Sequence, residues 1–207
     1  MKTVAVLASV ALLLSGCSGD DGDADAPVVQ LGGPSGSNRT LSPDEVDELD
    51  QTSPHTPADV AFAQNMIPHH QQALVMIALV PNGAGHGLPL LAERMAIGQR
   101  DEIGQLEEWL ASRDEELPGS HHDHDPSAMP GMLSDAELAR LESSRGERFE
   151  RLFLQFMIRH HEGALLMVQG LHDGGGGQEP GLFQLVQHID ADQRVEIARM
   201  RSLLAGM

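Results

Sequence analysis

One stretch of this chain occurs twice. Residues 62–76 read FAQNMIPHHQQALVM, and residues 153–167 read FLQFMIRHHEGALLM. Met66, His69, His70, Ala73 and Met76 match Met157, His160, His161, Ala164 and Met167. Each copy sets Met-x-x-His-His inside an apolar pattern of helical period. Positions i, i+3, i+4 and i+7 share one face of a helix. Met66, His69, His70 and Ala73 therefore form one stripe, and Met157, His160, His161 and Ala164 form another. A second pair of segments repeats as well: Gln99, Glu102, Ile103, Leu106 and Trp109 match Gln193, Glu196, Ile197, Met200 and Leu203. The chain thus reads as two helical hairpins in tandem. A lone hairpin cannot bury its apolar face, but two packed together make an all-α four-helix bundle.

Local signals place the helices. Thr56, Pro57 and Asp59 start the first, with a cap, a preformed first turn and a charge suited to the helix dipole. It is expected over residues 56–79, with Pro68 inside it as a source of a kink. The second is expected over 88–113, with Leu91, Met95, Leu106, Trp109 and Leu110 inward and Glu102 amid them. A loop over 117–132 reads LPGSHHDHDPSAMPGM. Ser134 to Glu137 then forms a capping box, with Leu133 and Leu138 as its hydrophobic staple. A short helix ending near Gly146 precedes the third main helix, 147–171. After the glycine run 174–177, the fourth spans 180–204, burying Leu182, Val186, Ile189, Met200 and Leu203.

The N-terminus is different in kind. Lys2 precedes a short apolar run, residues 4–14, and then Leu14-Ser15-Gly16-Cys17, which is similar to a bacterial lipobox. The run suits a signal peptide better than a membrane span. Residues 1–17 are read as a signal peptide whose removal leaves lipid on Cys17. Residues 18–55, rich in Gly, Asp, Ser and Pro, are read as a disordered tether. A helical turn or two is possible over 41–49. The folded domain is 56–207. It would stand on the extracytoplasmic face of the cell membrane, held by the lipid alone.

Cys17 is the only cysteine, so the mature domain has no thiol. A soft-metal site here must be built from Met and His. That fits an oxidising compartment, where paired thiolates become disulfides. The net charge is −18, from 31 acidic and 13 basic residues, which argues against nucleic acid and anionic lipid. Nothing resembles a nucleophile with its base or a phosphate loop, so an enzyme is not the favoured reading.

Ligand softness sorts the metals. Imidazole suits zinc, copper and nickel, whereas thioethers add affinity for Cu(I) and Ag(I). Met66, His69, His70, Met157, His160 and His161 therefore point to copper, Cu(I) first and Cu(II) as well. Glu102 and Glu196 are expected behind the imidazoles, where a carboxylate can take the second ring N–H and set the tautomer. A ferritin-like di-iron centre would need those two glutamates as ligands and Glu where Met66 and Met157 stand. Single Met and His residues at helical spacing are more often core filling. Two matching copies with four imidazoles shift that balance, because so many ring nitrogens need partners. His121, His122 and His124, with Met129 and Met132, form a weaker cluster, a second or entry site in the loop. Met76 and Met167 are as consistent with packing. His55, His86, His172 and His188 are isolated.

The segments MIPHHQQAL, RDEIGQLEEWL, MPGM and FLQFMIRHHEGALLM resemble the bacterial domain-of-unknown-function 305 family over residues 56–204. That resemblance implies a ferritin-like fold, export, and an association with copper binding and resistance in some members. It implies Met66, His69, His70, Met157, His160 and His161 as motif positions, with Met129 and Met132 in the Met-Pro-Gly-Met segment. The reading is a lipid-anchored protein that sequesters copper, confers tolerance to it or transfers it, with a copper-handling protein as a possible partner. Two alternatives are a ferritin-like di-metal oxidase and a metal-free helical interaction module.

Overall fold

The computed structural model describes residues 29–30, 39–40, 42, 54–85, 87–119 and 129–207. The chain divides into two units, one up to Leu49 and one from Asp50 onward. In the first, β1 (Val29–Gln30) and β2 (Arg39–Thr40) pair antiparallel, Val29 with Thr40 and Gln30 with Arg39. The expected signal peptide, Cys17, the rest of the expected tether and the expected turns over 41–49, Ser42 apart, lie outside the described residues.

The second unit is helical: α1 (Pro57–Ala78), α2 (Leu88–Ala111), α3 (Asp135–Ser143), α4 (Gly146–Asp173) and α5 (Pro180–Ala205). α1 packs on α2 and α4 on α5, as two hairpins; α1 also packs on α4 and α2 on α5, closing the four-helix bundle. The short α3 lies against α4. Among the described residues no helix is long and apolar enough to cross a membrane.

The helix starts follow from the sequence. Thr56 caps α1: its side chain accepts from the Asp59 N–H at 3.2 Å, and the Asp59 carboxylate accepts from the Thr56 N–H at 2.7 Å. The other Asp59 oxygen accepts from the Gly177 N–H at 2.5 Å, tying the α4–α5 connection to the start of α1. Ser134 and Glu137 make the same reciprocal cap on α3, and Leu133 and Leu138 both join the core. α1 continues through Pro68. The helices differ from expectation by a few residues at their ends: α2 stops at Ala111, α3 stops at Ser143, and Gly146 begins α4. Leu203 is only partly buried, and the β1–β2 pair falls within the stretch expected to be a disordered tether.

The core is divided into two clusters. One gathers Ala73, Met76, Leu91, Met95, Phe149, Phe153, Met157 and Met200. The other gathers Phe62, Met66, Leu106, Trp109, Ala164, Val168, Leu182 and Ile189. Each takes one end of every main helix, so α1 runs against the direction of α4. Between the clusters along each helix lie the buried polar residues: His69 and His70, Gln99 and Glu102, His160 and His161, and Gln193.

A clasp closes the end of the bundle that holds Trp109. Glu179 caps α5 by accepting from the Leu182 N–H at 2.7 Å, and it also accepts from Trp109 Nε1 at 2.8 Å and Arg113 at 2.5 Å. Burial alone would raise its carboxyl, but these three donors outweigh burial and hold it below the usual range. Arg113 lies over the Trp109 ring, 4.6 Å from its centre. Glu179→Ala would strand a buried indole N–H and an orphaned helix N–H. We expect a loss of about 2–3 kcal/mol in urea unfolding; a loss below about 0.5 kcal/mol would show that the clasp does not hold the bundle end.

Candidate metal centre

The two His doublets converge. The rings of His69 and His160 lie with centroids 3.8 Å apart and planes inclined at 34°. His70 is 6.3 Å from His69, and His161 is 6.1 Å from His160, centroid to centroid. All four are at most 1% exposed. This is what facing stripes require, since each doublet spans the side of its helix turned toward the other hairpin.

Three of the rings have one nitrogen engaged and one left over, and His70 has neither engaged. His161 Nε2 lies 2.6 Å from Glu196 Oε2. His70 Nε2 lies 2.8 Å from Glu102 Oε2, but off the line that a hydrogen bond needs, so neither atom is satisfied. His69 Nε2 meets the Pro130 carbonyl at 3.0 Å. His160 hydrogen-bonds the backbone of His69. Left without a partner among the described residues are His69 Nδ1, both nitrogens of His70, His161 Nδ1 and His160 Nε2. A buried imidazole nitrogen carrying an unused lone pair is a metal ligand in the right protonation state.

The surroundings keep His69, His70 and His160 neutral. Burial, then the neighbouring His70, brings His69 down to about 3. Burial, then His161, brings His70 to about 3. Burial, then His69, lowers His160 well below its ordinary value. Burial, with Glu196 nearby, pushes Glu102 up to about 8. A centre that holds its imidazoles unprotonated offers lone pairs rather than charges, and its two carboxyls stand behind the rings.

The remaining expected residues divide. Met66 and Met157 are fully buried, yet they belong to different apolar clusters. They flank the His layer from its two sides. Met129 and Met132 are half-buried on the segment whose Pro130 carbonyl touches His69. His121, His122 and His124 lie outside the described residues. Met76 is buried in one cluster, and Met167 lies at the edge of the other. His55 pairs with Glu115 at 3.0 Å and meets the Trp109 ring edge-on, far along the bundle from the His layer. Among the described residues no three His, Cys, Asp or Glu side chains are set to hold an ion by themselves. Thioethers fall outside that set.

Two buried residues escaped the sequence reading as parts of the layer. Gln99 and Gln193 are 2% and 1% exposed, and each has side-chain atoms without a partner among the described residues. Each precedes its glutamate by one helical turn. Their match between the repeats was visible, but a glutamine at helical spacing carries no chemical signature by itself.

The family model for a domain of unknown function, DUF305, matches residues 59–204. The chain belongs to the DUF305 family. It is similar to a DUF305 fragment from Deinococcus radiodurans, at 34% identity over 75% of this chain and all of that one, TM-score 0.66. A candidate secreted DUF305 protein from Streptomyces coelicolor is 31% identical, covering 72% of this chain and 91% of its own, TM-score 0.63. CopM in its Cu(II)-bound form is 27% identical over 72% of this chain and 96% of its own, TM-score 0.60. No functionally curated protein is detectably similar to the chain.

The buried groups set the sign of the pH dependence of the metal-free protein. His69, His70 and His160 have depressed values, so their stabilisation is present above 6.5 and is lost as pH falls, through about 3 for His69 and His70. Glu102 has a raised value, so its stabilisation is present below 4.5 and is lost as pH rises through about 8. Between those limits the unfolded chain takes up three protons on His while the folded chain keeps one on Glu102. Stability should therefore rise with pH from 4.5 to 6.5, then fall more gently toward 8. Urea midpoints at half-unit steps check this; a flat profile across that range would contradict buried neutral rings.

Proposed function

We propose that this protein binds copper at the layer formed by His69, His70, His160 and His161, with Met66 and Met157 as thioether donors. The observation that carries the reading is the set of five imidazole nitrogens without partners among the described residues, on four buried rings contributed by both hairpins. A bound copper ion would give those lone pairs their partner and would satisfy the polar layer of the core. Imidazoles serve both oxidation states, and thioethers favour Cu(I). The likeness to CopM, known with Cu(II), Cu(I) and silver bound, supports the choice of metal. Glu102 and Glu196 act as braces rather than ligands, since each carboxylate stands at an Nε2 and leaves Nδ1 open. Met129 and Met132, with His121, His122 and His124, serve as a second or entry site.

The cellular reading follows from the N-terminus. Residues 1–17 direct export, Cys17 takes lipid, residues 18–55 tether, and residues 56–207 hold copper outside the cytoplasm for sequestration, tolerance or transfer to a copper-handling partner. The candidate secreted relative supports the compartment. The di-metal oxidase would instead need both carboxylates on the metal, and the metal-free module would need the polar layer to be structural.

Met66→Leu with Met157→Leu should weaken Cu(I) by about tenfold or more while changing Cu(II) far less. Competition with a Cu(I) chelator measures it; equal Cu(I) affinity before and after would remove these methionines from the site. Protein purified from its native envelope should carry copper rather than iron. Iron with oxygen-dependent turnover would favour the oxidase. Cys17→Ser should move the protein from the membrane fraction to the soluble fraction, and unchanged membrane retention would remove the lipid anchor.

A further inference from the structure

Residues 129–133 form a strap across the His layer, and its backbone touches the centre. The Pro130 carbonyl meets His69 Nε2 at 3.0 Å. A ring whose Nε2–H is donated there carries its lone pair on Nδ1, the atom left without a partner.

The strap reaches that position because each hairpin makes room for it differently. On α4, Gly163 lies directly beneath: a Cβ there would come within 2.0 Å of the Pro130 oxygen and 2.8 Å of the Gly131 Cα. Gly131 has φ +78, and a Cβ on it would come within 2.5 Å of the Arg159 carbonyl oxygen. Neither site accepts a side chain without moving backbone. On α1, Gln72 grips the end of the strap in both directions: its Nε2 donates to the Leu133 carbonyl at 2.9 Å, and its Oε1 accepts from the Leu133 N–H at 2.7 Å. Glu137 then pairs with Arg159 at 2.6 Å, drawing α3 onto α4 just beyond the strap.

We propose that Gln72 and Gly163 are positioning residues that seat the Pro130 carbonyl on His69, so that His69 presents Nδ1 to the metal and metal release depends on the seating of the strap. The proposal rests on the copper reading above. A metal on Nδ1 makes the opposite N–H a better donor, so an occupied centre holds the strap more firmly. A displaced strap frees the ring to change tautomer. The half-buried thioethers of Met129 and Met132 ride on the same strap, so its seating also sets where they stand relative to the centre.

The test uses the full chain with 15N-labelled histidine, metal-free and loaded with Ag(I), a soft, diamagnetic stand-in for Cu(I). Long-range 1H–15N spectra should show His69 protonated on Nε2, with silver shifting its Nδ1. Gly163→Ala and, separately, Gln72→Leu should mix the His69 tautomers and speed silver loss to a competing chelator about tenfold or more, with bound silver per chain unchanged. Gln72 is only half-buried, so its variant tests the idea should the glycine variant fail to fold. Silver on His69 Nε2 would overturn the positioning role alone, as would release at the wild-type rate with the tautomer unchanged in Gln72→Leu. Silver that shifts none of the four histidines would overturn the copper reading itself.

Discussion

Everything in this bundle is arranged around a polar layer that its core does not satisfy. Four imidazoles and two carboxamides sit between two apolar clusters, reached by little or no solvent. A buried polar atom left without a partner costs about 1–3 kcal/mol. Several of them together make the middle of the bundle its weakest part, while the ends carry the packing and the caps. Trp109, Arg113 and Glu179 at one end, and Phe149, Phe153 and Leu91 toward the other, hold the helices in place across a centre that contributes little of its own. A ligand that supplied the missing partners would turn the weakest layer into a cross-link between hairpins.

The electrostatics of that layer explain why its ligand should be a soft cation. Burial drives His69, His70 and His160 to their neutral state and favours the neutral form of Glu102. A hard ion such as Ca²⁺ or Mg²⁺ wants carboxylate and carbonyl oxygens. Neutral nitrogen donors, with thioethers on either flank, favour an ion that gains from polarizable ligands and tolerates low charge around it. Proton and metal also compete for the same lone pairs, so a site that rejects protons down to low pH remains open to metal through the whole neutral range.

The repeat made most of this legible before any coordinates. Matching Met-x-x-His-His stripes located both helices whose His rings meet, and the matching Glu102 and Glu196 located the carboxylates beside His70 and His161. The cap at Thr56 and the capping box at Ser134 were readable because they are local: a few residues and their hydrogen-bonding chemistry decide them. The division of Met66 and Met157 between two clusters was not readable. A helical stripe gives the face of a residue, but not its height relative to a partner helix running the opposite way. The Met-Pro-Gly-Met strap was noticed for its thioethers, yet its backbone contact with His69 spans 61 residues of sequence and no periodic pattern records it. His121, His122 and His124 fall outside the described residues, so their reading remains one of composition.

The departures from the repeat are as informative as the matches. Gln72 and Gly163 occupy equivalent places in two otherwise similar segments, as do Pro68 and Arg159. A perfectly duplicated bundle would present two equivalent grooves, each able to seat a strap, while the chain has one strap. Asymmetry is therefore required: one helix must yield a side chain so that a backbone can lie on it, and the other must supply a group that grips. Glycine does the first, because without a Cβ it lets two backbones meet. Glutamine does the second, because its amide matches a peptide donor for acceptor. The same logic accounts for Arg159, whose carbonyl borders Gly131 and whose guanidinium pairs with Glu137 on the helix that follows the strap. The matched positions build the donor layer, and the mismatched ones decide from which side it is covered.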